Sequence, residues 1–317
     1  MKAVTYQTYG GPEVLNLVEL PKPQPAAGEI LVRVHATSVT TGDVRMRAYD
    51  LPAPFRFLGR FMLGWPTPRS PVLGYDFAGE VEAVGSGVSK FRPGDRVYGG
   101  ALGSYAEYRT IAETGAVAKM PDGLSFEQAA SLTFGALTAV YFVKAGKVGP
   151  DQSLLVIGAS GCVGAYTTQL ATHLGASVTA VCSGRNADFA RAQGAERVID
   201  YTSEDYSTSG PYDAVMDAVG ASSFAPLKPL IKRGGVYLNV VLGSADLLAL
   251  LNPFKDGRRI VTGSFDTTQA RLLALNDLID AGAFRPVIDR SYPIEQIRDA
   301  HAYVDTKRKR GSVVVTV

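Results

Sequence analysis

The stretch Ser153-Leu-Leu-Val-Ile-Gly-Ala-Ser-Gly-Cys-Val-Gly164 decides the architecture of this chain. A strand-like apolar run ends in a glycine turn, which opens directly into a helix-compatible segment, Ala165 to Leu174. A second apolar run, Ser177-Val-Thr-Ala-Val181, follows Gly175-Ala176. Strand, glycine turn, helix and strand in this order form the layout of a βαβ unit that receives a dinucleotide. Glycines let the backbone approach a pyrophosphate, and the helix N-terminus offers free N–H groups and the positive end of its dipole. Ser160, Gly161, Cys162 and Val163 are therefore the expected phosphate-side residues, with Cys162 acting through its N–H rather than its thiol. Ala159 replaces the first glycine of G-x-G-x-x-G, so the fingerprint is partial and its context carries the reading.

Twenty or so residues beyond such a turn, a carboxylate usually takes the ribose hydroxyls of NAD. Here the chain reads Val181-Cys-Ser-Gly-Arg-Asn186, and the first acid, Asp188, is expected inside the next helix. Ser183 and Arg185 instead offer a hydroxyl and a bidentate cation, which suit the 2′-phosphate of NADPH. The competing reading is a solvated loop with a surface arginine.

Further strands are expected at Arg197–Tyr201, Tyr212–Met216, Gly235–Val241 and Arg259–Ser264, with helices including 186–193 and 221–231. Alternation of this kind predicts a doubly wound parallel sheet, an α/β fold. Cofactors bind at the C-terminal ends of such strands. Val219, Leu242 and Phe265, which follow the fourth, fifth and sixth strands, are therefore expected to line the site. Tyr201 ends the third strand and would cover the adenine or its phosphate, or be an ordinary strand-end tyrosine.

Residues 1–120 have another texture, with short strands such as Glu29–Ala36 and Gly79–Val84 broken by Gly and Pro. The strand-like Val287–Arg290 and Ser312–Val317 fit better with that β-rich part. The expected organisation is a β-rich domain, 1–120 completed by 285–317, with a nucleotide domain, 121–284, inserted into it.

Bulk properties exclude several classes. The chain has 317 residues, enough for two domains, and Lys+Arg 32 against Asp+Glu 30 gives a formal charge of +2. That balance does not suggest a nucleic-acid partner. Two cysteines, Cys162 and Cys182, cannot build a disulfide framework or a zinc finger, which suits a reducing, cytoplasmic setting. Met1–Tyr6 reads as a strand rather than a signal peptide, and no run approaches the ~18 uninterrupted apolar residues of a membrane span.

These residues resemble the medium-chain dehydrogenase/reductase superfamily, in its zinc-independent quinone oxidoreductase and enone reductase branch. The signposts are Gly10–Leu15, Gly74-Tyr-Asp-Phe-Ala-Gly-Glu-Val81, Val84–Val88, Phe91-Arg-Pro-Gly-Asp-Arg-Val97 and Gly158–Gly164. The resemblance implies a GroES-like domain and a Rossmann domain. It also implies NADPH-dependent hydride transfer to a small apolar quinone or enone, and a possible homodimer through the strand near Arg259–Ser264. Zinc alcohol dehydrogenases of the superfamily carry Cys at the position of Thr40, His at that of Tyr75, and a further Cys near Gly135. They also have a four-cysteine lobe, and no cysteine precedes Cys162 here. His35, His173 and His301 are scattered, so no metal site is expected.

Without a metal, a substrate carbonyl needs hydrogen-bond donors. In the resemblance Thr40, Thr41 and Asp43 occupy the segment facing the nicotinamide, where many relatives have Asn-Pro-Val-Asp. The expected catalytic set is Thr40, Asp43 and Tyr75, although Tyr75 could simply pack on the sheet. Thr138 matches a position beside the nicotinamide, or is a helix threonine bonding back to a carbonyl. Phe57, Leu58, Phe61, Met62 and Trp65 recur at helical spacing among Arg56, Arg60 and Arg69. They would form a lid over an apolar substrate, a core helix, or a membrane or partner surface, the first two being favoured. Three rival functions stay open: a non-catalytic NADPH-binding protein of the crystallin-like, RNA- or partner-binding kind, an NADP-dependent alcohol/aldehyde reductase, and an acyl-chain reductase domain of a larger synthase.

Overall fold

The computed structural model describes residues 1–51, 56–241, 243, 246, 256–263 and 266–317, the side chains of Leu58 and Met62 excepted. The chain forms two compact units: Met1–Leu137, Asp266–Gly282 and Pro286–Val317 make one, and Thr138–Phe265 with Ala283–Arg285 the other. Both boundaries differ from the expected 120/121 and 284/285. Helix Phe126–Gly146 crosses the first boundary, and helix Gln269–Asp280 joins the β-rich unit, where the Tyr98 hydroxyl bonds Leu272 O and Asn276 Oδ1.

The β-rich unit contains β1 (Lys2–Thr5), β2 (Asn16–Glu19), β3 (Glu29–Val39), β4 (Asp76–Val84), β5 (Arg96–Gly100), β6 (Tyr108–Ala112) and β7 (Val117–Lys119). The nucleotide unit follows with β8 (Ser153–Ile157), β9 (Ser177–Cys182), β10 (Arg197–Asp200), β11 (Tyr212–Asp217), β12 (Ile231–Asn239) and β13 (Arg259–Thr262). The chain then returns to the first unit with β14 (Ile288–Pro293) and β15 (Ser312–Thr316), as the strand-like C-terminal residues anticipate.

In the β-rich unit the sheet runs β14-β15-β3-β4-β5-β7, with β6 also paired to β3. Strand alternation turns Val32, Val34, Phe77, Val81, Val97, Ile111 and Val117 into one buried cluster. Each such side chain stabilises the unit by about 1.5–3 kcal/mol. In the nucleotide unit the order is β10-β9-β8-β11-β12-β13, all parallel, which is the Rossmann order 3-2-1-4-5-6.

Helix α1 (Thr41–Ala48) and helix α2 (Arg56–Leu63) precede α3 (Phe126–Gly146), α4 (Cys162–His173) and α5 (Ala187–Ala192). Asp188 does lie inside the helix after the Ser183–Arg185 loop, paired with Arg191 at 2.9 Å. The helix expected over 221–231 shrinks to α6 (Phe224–Leu227) and a 3-10 turn, Lys228–Leu230. Pro229 has no N–H to continue the ladder, and β12 already starts at Ile231. Helix α3 is long and apolar enough to cross a membrane by length and composition, which the absence of an uninterrupted apolar run did not anticipate. Its most apolar window is 72% buried within the protein, as in a core helix.

Candidate functional site

The turn between β8 and α4 is held from both sides. Gly158 N and Ala159 N donate to Val181 O at 3.0 and 3.2 Å, and Gly161 N donates to Gly158 O at 3.0 Å. Gly158 has φ +79°, the left-handed region that favours glycine. A Cβ at Gly164 would sit 2.3 Å from Gly158 O and 2.8 Å from Ala159 Cα, so only glycine lets the helix close against the turn. Gly161 caps α4 without any side-chain cap bond. A cradle of this kind, a helix start with no side-chain oxygen over it, fits the pyrophosphate of a dinucleotide.

The loop after β9 forms a 3-10 turn, Gly184–Asn186, capped by Ser183. Arg185 is exposed and takes part in no ion pair among the described residues, so its guanidinium is available to an anion. Asn186 is buried, and its side-chain nitrogen lies 3.1 Å from Ser160 Oγ and 3.2 Å from Ser183 Oγ. It therefore ties the phosphate turn to the loop, a link the sequence reading missed because the residues are 26 apart.

Asp200, at the end of β10, was also passed over. Its carboxylate accepts from Thr202 N and Oγ1 at 3.0 and 2.7 Å. It packs so close to Gly184 that a Cβ there would meet Oδ2 at 2.3 Å. The Thr202 hydroxyl and backbone, with the Gly184 N–H, hold its pKa below the usual range. Its signal was an acid ending a strand beside the loop.

Tyr201 and Val219 are 57% and 53% exposed on the same unit, large side chains left uncovered at strand ends. Val219 stands over Gly158, where an added Cβ would meet Val219 Cγ1 at 2.5 Å. The buried Asp217 fixes this turn, accepting from Val219 N, Gly220 N and Ser222 N at 2.8–3.0 Å. Leu242 and Phe265 lie outside the described residues. Thr138 is buried in α3.

The three expected catalytic residues all lie in the β-rich unit. Thr40 is the N-cap of α1 and Asp43 is the third residue of a capping box. Thr40 Oγ1 donates to Asp43 Oδ2 at 2.6 Å, Thr40 N donates to it at 2.8 Å, and Asp43 N returns a bond to Thr40 Oγ1. The hydroxyl proton of Thr40 is thus committed to Asp43, so the carbonyl-facing role expected of it gives way to a cap. Burial pushes the Asp43 carboxyl up to about 6, against the opposing bonds from Thr40. Thr41 is exposed.

Tyr75 is half-buried, and Thr267 hydrogen-bonds its hydroxyl through side chain and backbone. Burial raises its pKa, so it remains a phenol at neutral pH. Gly100 makes room for the ring: a Cβ there would meet Tyr75 Cε1 at 2.5 Å. Next to it, Asp76 is fully buried, accepts from Ser38 Oγ at 2.6 Å, and is driven well above the usual carboxylate range by burial.

Beneath α1 a polar chain has a fixed direction. Arg47, an obligate donor, lies 3.2 Å from His301 Nδ1, which must accept. His301 is then neutral with its proton on Nε2, which donates to the Tyr105 hydroxyl at 3.2 Å. Burial and then the Arg47 charge lower the His301 pKa to about 3. His35 stacks on Phe126 with centroids 4.4 Å apart, and His173 is exposed. Among the described residues no three His, Cys, Asp or Glu side chains converge.

Helix α2 exists as predicted, yet Phe57, Phe61 and Trp65 are 70%, 59% and 53% exposed, which removes the core-helix reading. Trp65 stacks on Tyr9 at 6.1 Å, with the Arg60 guanidinium 5.3 Å from its ring.

Residues 26–122 match the family profile described as alcohol dehydrogenase GroES-like domain, and residues 193–315 match that of zinc-binding dehydrogenase. The NADPH-dependent alkenal/one oxidoreductase of Arabidopsis chloroplasts (Arabidopsis thaliana) is 33% identical over 331 residues, covering 99% of this chain and 79% of its own. The chain belongs to the medium-chain dehydrogenase/reductase superfamily, in its quinone and enone reductase branch. Two solved structures agree over the whole chain. The quinone oxidoreductase from Coxiella burnetii has a TM-score of 0.88 at 30% identity, covering 100% of this chain and 99% of that one. The Escherichia coli quinone oxidoreductase complexed with NADPH has a TM-score of 0.85 at 28% identity, covering 100% of each chain.

In this medium-chain dehydrogenase/reductase chain Thr40 and Tyr75 lie within the GroES-like match and offer hydroxyl oxygens. Thr40 Oγ1 is bonded to Asp43 Oδ2, and Thr267 hydrogen-bonds the Tyr75 hydroxyl.

Proposed function

We propose that this protein is a zinc-independent, NADPH-dependent reductase of quinones or α,β-unsaturated carbonyl compounds. The observation that carries the cofactor half is the loop Ser183-Gly-Arg185, where an NAD-selective carboxylate would stand: among the described residues the guanidinium has no ion-pair partner and the hydroxyl, which accepts from Asn186, donates to nothing. The turn Gly158–Gly164 and the start of α4 receive the pyrophosphate through backbone N–H groups. Ser183 and Arg185 take the 2′-phosphate, and Tyr201 covers the adenine side. NADPH, when bound, supplies the hydride; positioning of the acceptor is the protein's share.

Because the Thr40 hydroxyl serves Asp43, the phenol of Tyr75 is the candidate that polarises the acceptor oxygen. It stays protonated at neutral pH and can give that proton to a forming enolate. The donor set at Thr40 and Tyr75 supports chemistry without zinc. A homodimer through β13, the edge strand of the parallel sheet, and a reducing cytoplasmic setting for Cys162 and Cys182 belong to the same proposal.

The test is NADPH and NADH oxidation against a panel of quinones, linear enones and aldehydes, before and after chelator treatment. NADPH-linked turnover of quinones or enones, insensitive to chelator, is the expected result. Turnover confined to aldehydes, activity restored by zinc, or no turnover at all would overturn it.

A further inference from the structure

We infer that Asn186 is a positioning residue for NADPH selectivity, holding Ser160 and Ser183 as hydrogen-bond donors to the cofactor. The inference rests on the reading that Ser183 and Arg185 receive the 2′-phosphate.

An amide nitrogen carries two hydrogens and accepts nothing, so Asn186 Nδ2 donates to both hydroxyl oxygens, at 3.1 Å to Ser160 Oγ and 3.2 Å to Ser183 Oγ. Each hydroxyl thereby receives a hydrogen bond and keeps its own proton. Among the described residues neither hydroxyl donates elsewhere, and Ser183 makes no side-chain cap bond to the turn that it precedes. The two protons remain for an anion.

The anchor itself is rigid. Asn186 is 6% exposed, and its backbone N donates to Ser183 O at 2.8 Å, so its side chain starts from a fixed point. One amide thus aligns two hydroxyls on two separate segments: Ser160 in the β8–α4 turn, beside the pyrophosphate, and Ser183 in the loop after β9, beside the 2′-phosphate. An aspartate of the same shape would reverse both bonds. It would claim both hydroxyl protons and set a negative charge next to two phosphates.

The test is a binding cycle read by nucleotide fluorescence and by the nucleotide-induced shift in Tm, without substrate. NADPH and NADH are titrated into the wild type, Asn186→Ala, Asn186→Asp, Ser160→Ala/Ser183→Ala, and the combinations of the single and double changes. In the wild-type background Asn186→Ala should weaken NADPH about tenfold, the scale of one or two hydrogen bonds to a charged group. Asn186→Asp should weaken it more, and NADH should suffer less in both. In the Ser160→Ala/Ser183→Ala background, Asn186→Ala should cost less than about twofold, because its partners are gone.

Equal losses in both backgrounds would show that Asn186 merely packs, and would overturn the inference. If Asn186→Ala fails to fold, the isosteric Asn186→Asp carries the cycle: a loss for NADPH no larger than for NADH would overturn it. A wild type that binds both nucleotides equally would instead sink the 2′-phosphate reading. The NADH cycle between Asn186→Ala and Ser160→Ala/Ser183→Ala would then still decide whether the amide acts through the hydroxyls.

Discussion

The phosphate turn with its following loop, and the polar layer beneath α1, are both rich in hydroxyls and charges, yet they spend them oppositely. Around the turn, Arg185 has no ion-pair partner among the described residues and Tyr201 and Val219 are left exposed, while the buried Asn186 and Asp217 do the holding. At α1, Thr40, Asp43, Arg47 and His301 are all buried, Thr40 bonded to Asp43 and Arg47 to His301. Groups kept for a ligand are uncommitted and supported from behind. Groups that hold the fold are consumed by their neighbours.

The largest expected effect comes from the backbone side of this contrast. Gly164→Val would drive side-chain atoms into Gly158 O and Ala159 Cα, backbone that cannot yield cheaply. A loss of about 3 kcal/mol or more in urea unfolding is expected. A variant of wild-type stability would show that the turn is looser than described.

Arg185→Ala should weaken NADPH by roughly 10- to 100-fold, the range of hydrogen bonds to charged groups, and leave NADH nearly unchanged. Equal losses for the two nucleotides, measured by fluorescence titration, would return Arg185 to a surface residue and erase one side of the comparison.

The buried layer should reveal itself in acid. The folded pKa of His301, about 3, lies below its ordinary 6.5. The unfolded chain therefore gains a proton first, and the stability contributed by neutral His301 is full above pH 6.5 and declines as pH falls toward 3. Asp43 acts with the opposite sign, since its folded carboxyl at about 6 retains a proton that the unfolded chain releases near its ordinary 3.8. Stability from that source falls as pH rises from about 4 to about 6. His301→Gln should remove the first slope, making the drop between pH 7.5 and pH 5 smaller by about 2 kcal/mol. Identical slopes in urea titrations would mean that His301 is solvated.

The smallest effect is the most discriminating for Thr40. As a cap, Thr40→Ala should cost about 1 kcal/mol of stability and Thr40→Ser almost none, with kcat unchanged in both. A tenfold fall in kcat at intact stability would return Thr40 to the chemistry.

The doubly wound sheet was legible because its signal is local. Six apolar runs, each followed by Gly or a polar turn, can be read in order without knowing what touches what, and the strand order then obeys a strong topological rule. The loop Ser183–Arg185 was legible for the same reason. What escaped depends on contacts between distant residues. Asn186 looks like any polar residue opening a helix until Ser160 is brought to it. Thr40 looked like a free donor because the residue three places on, Asp43, can be read either as an acid for chemistry or as half of a capping box. Phe57, Phe61 and Trp65 carry the period of a buried helix, and period alone does not say whether anything lies opposite.

One small residue sets a steric condition on the Tyr75 ring. Gly100 on β5 leaves the space that the Tyr75 ring fills, with Thr133 Cγ2 closing the other side at 3.3 Å from any added Cβ. A side chain at 100 forces the ring to shift, so the size of residue 100 governs where the Tyr75 hydroxyl stands. A single methyl at 100 is thus enough to displace the Tyr75 hydroxyl while leaving its own chemistry intact.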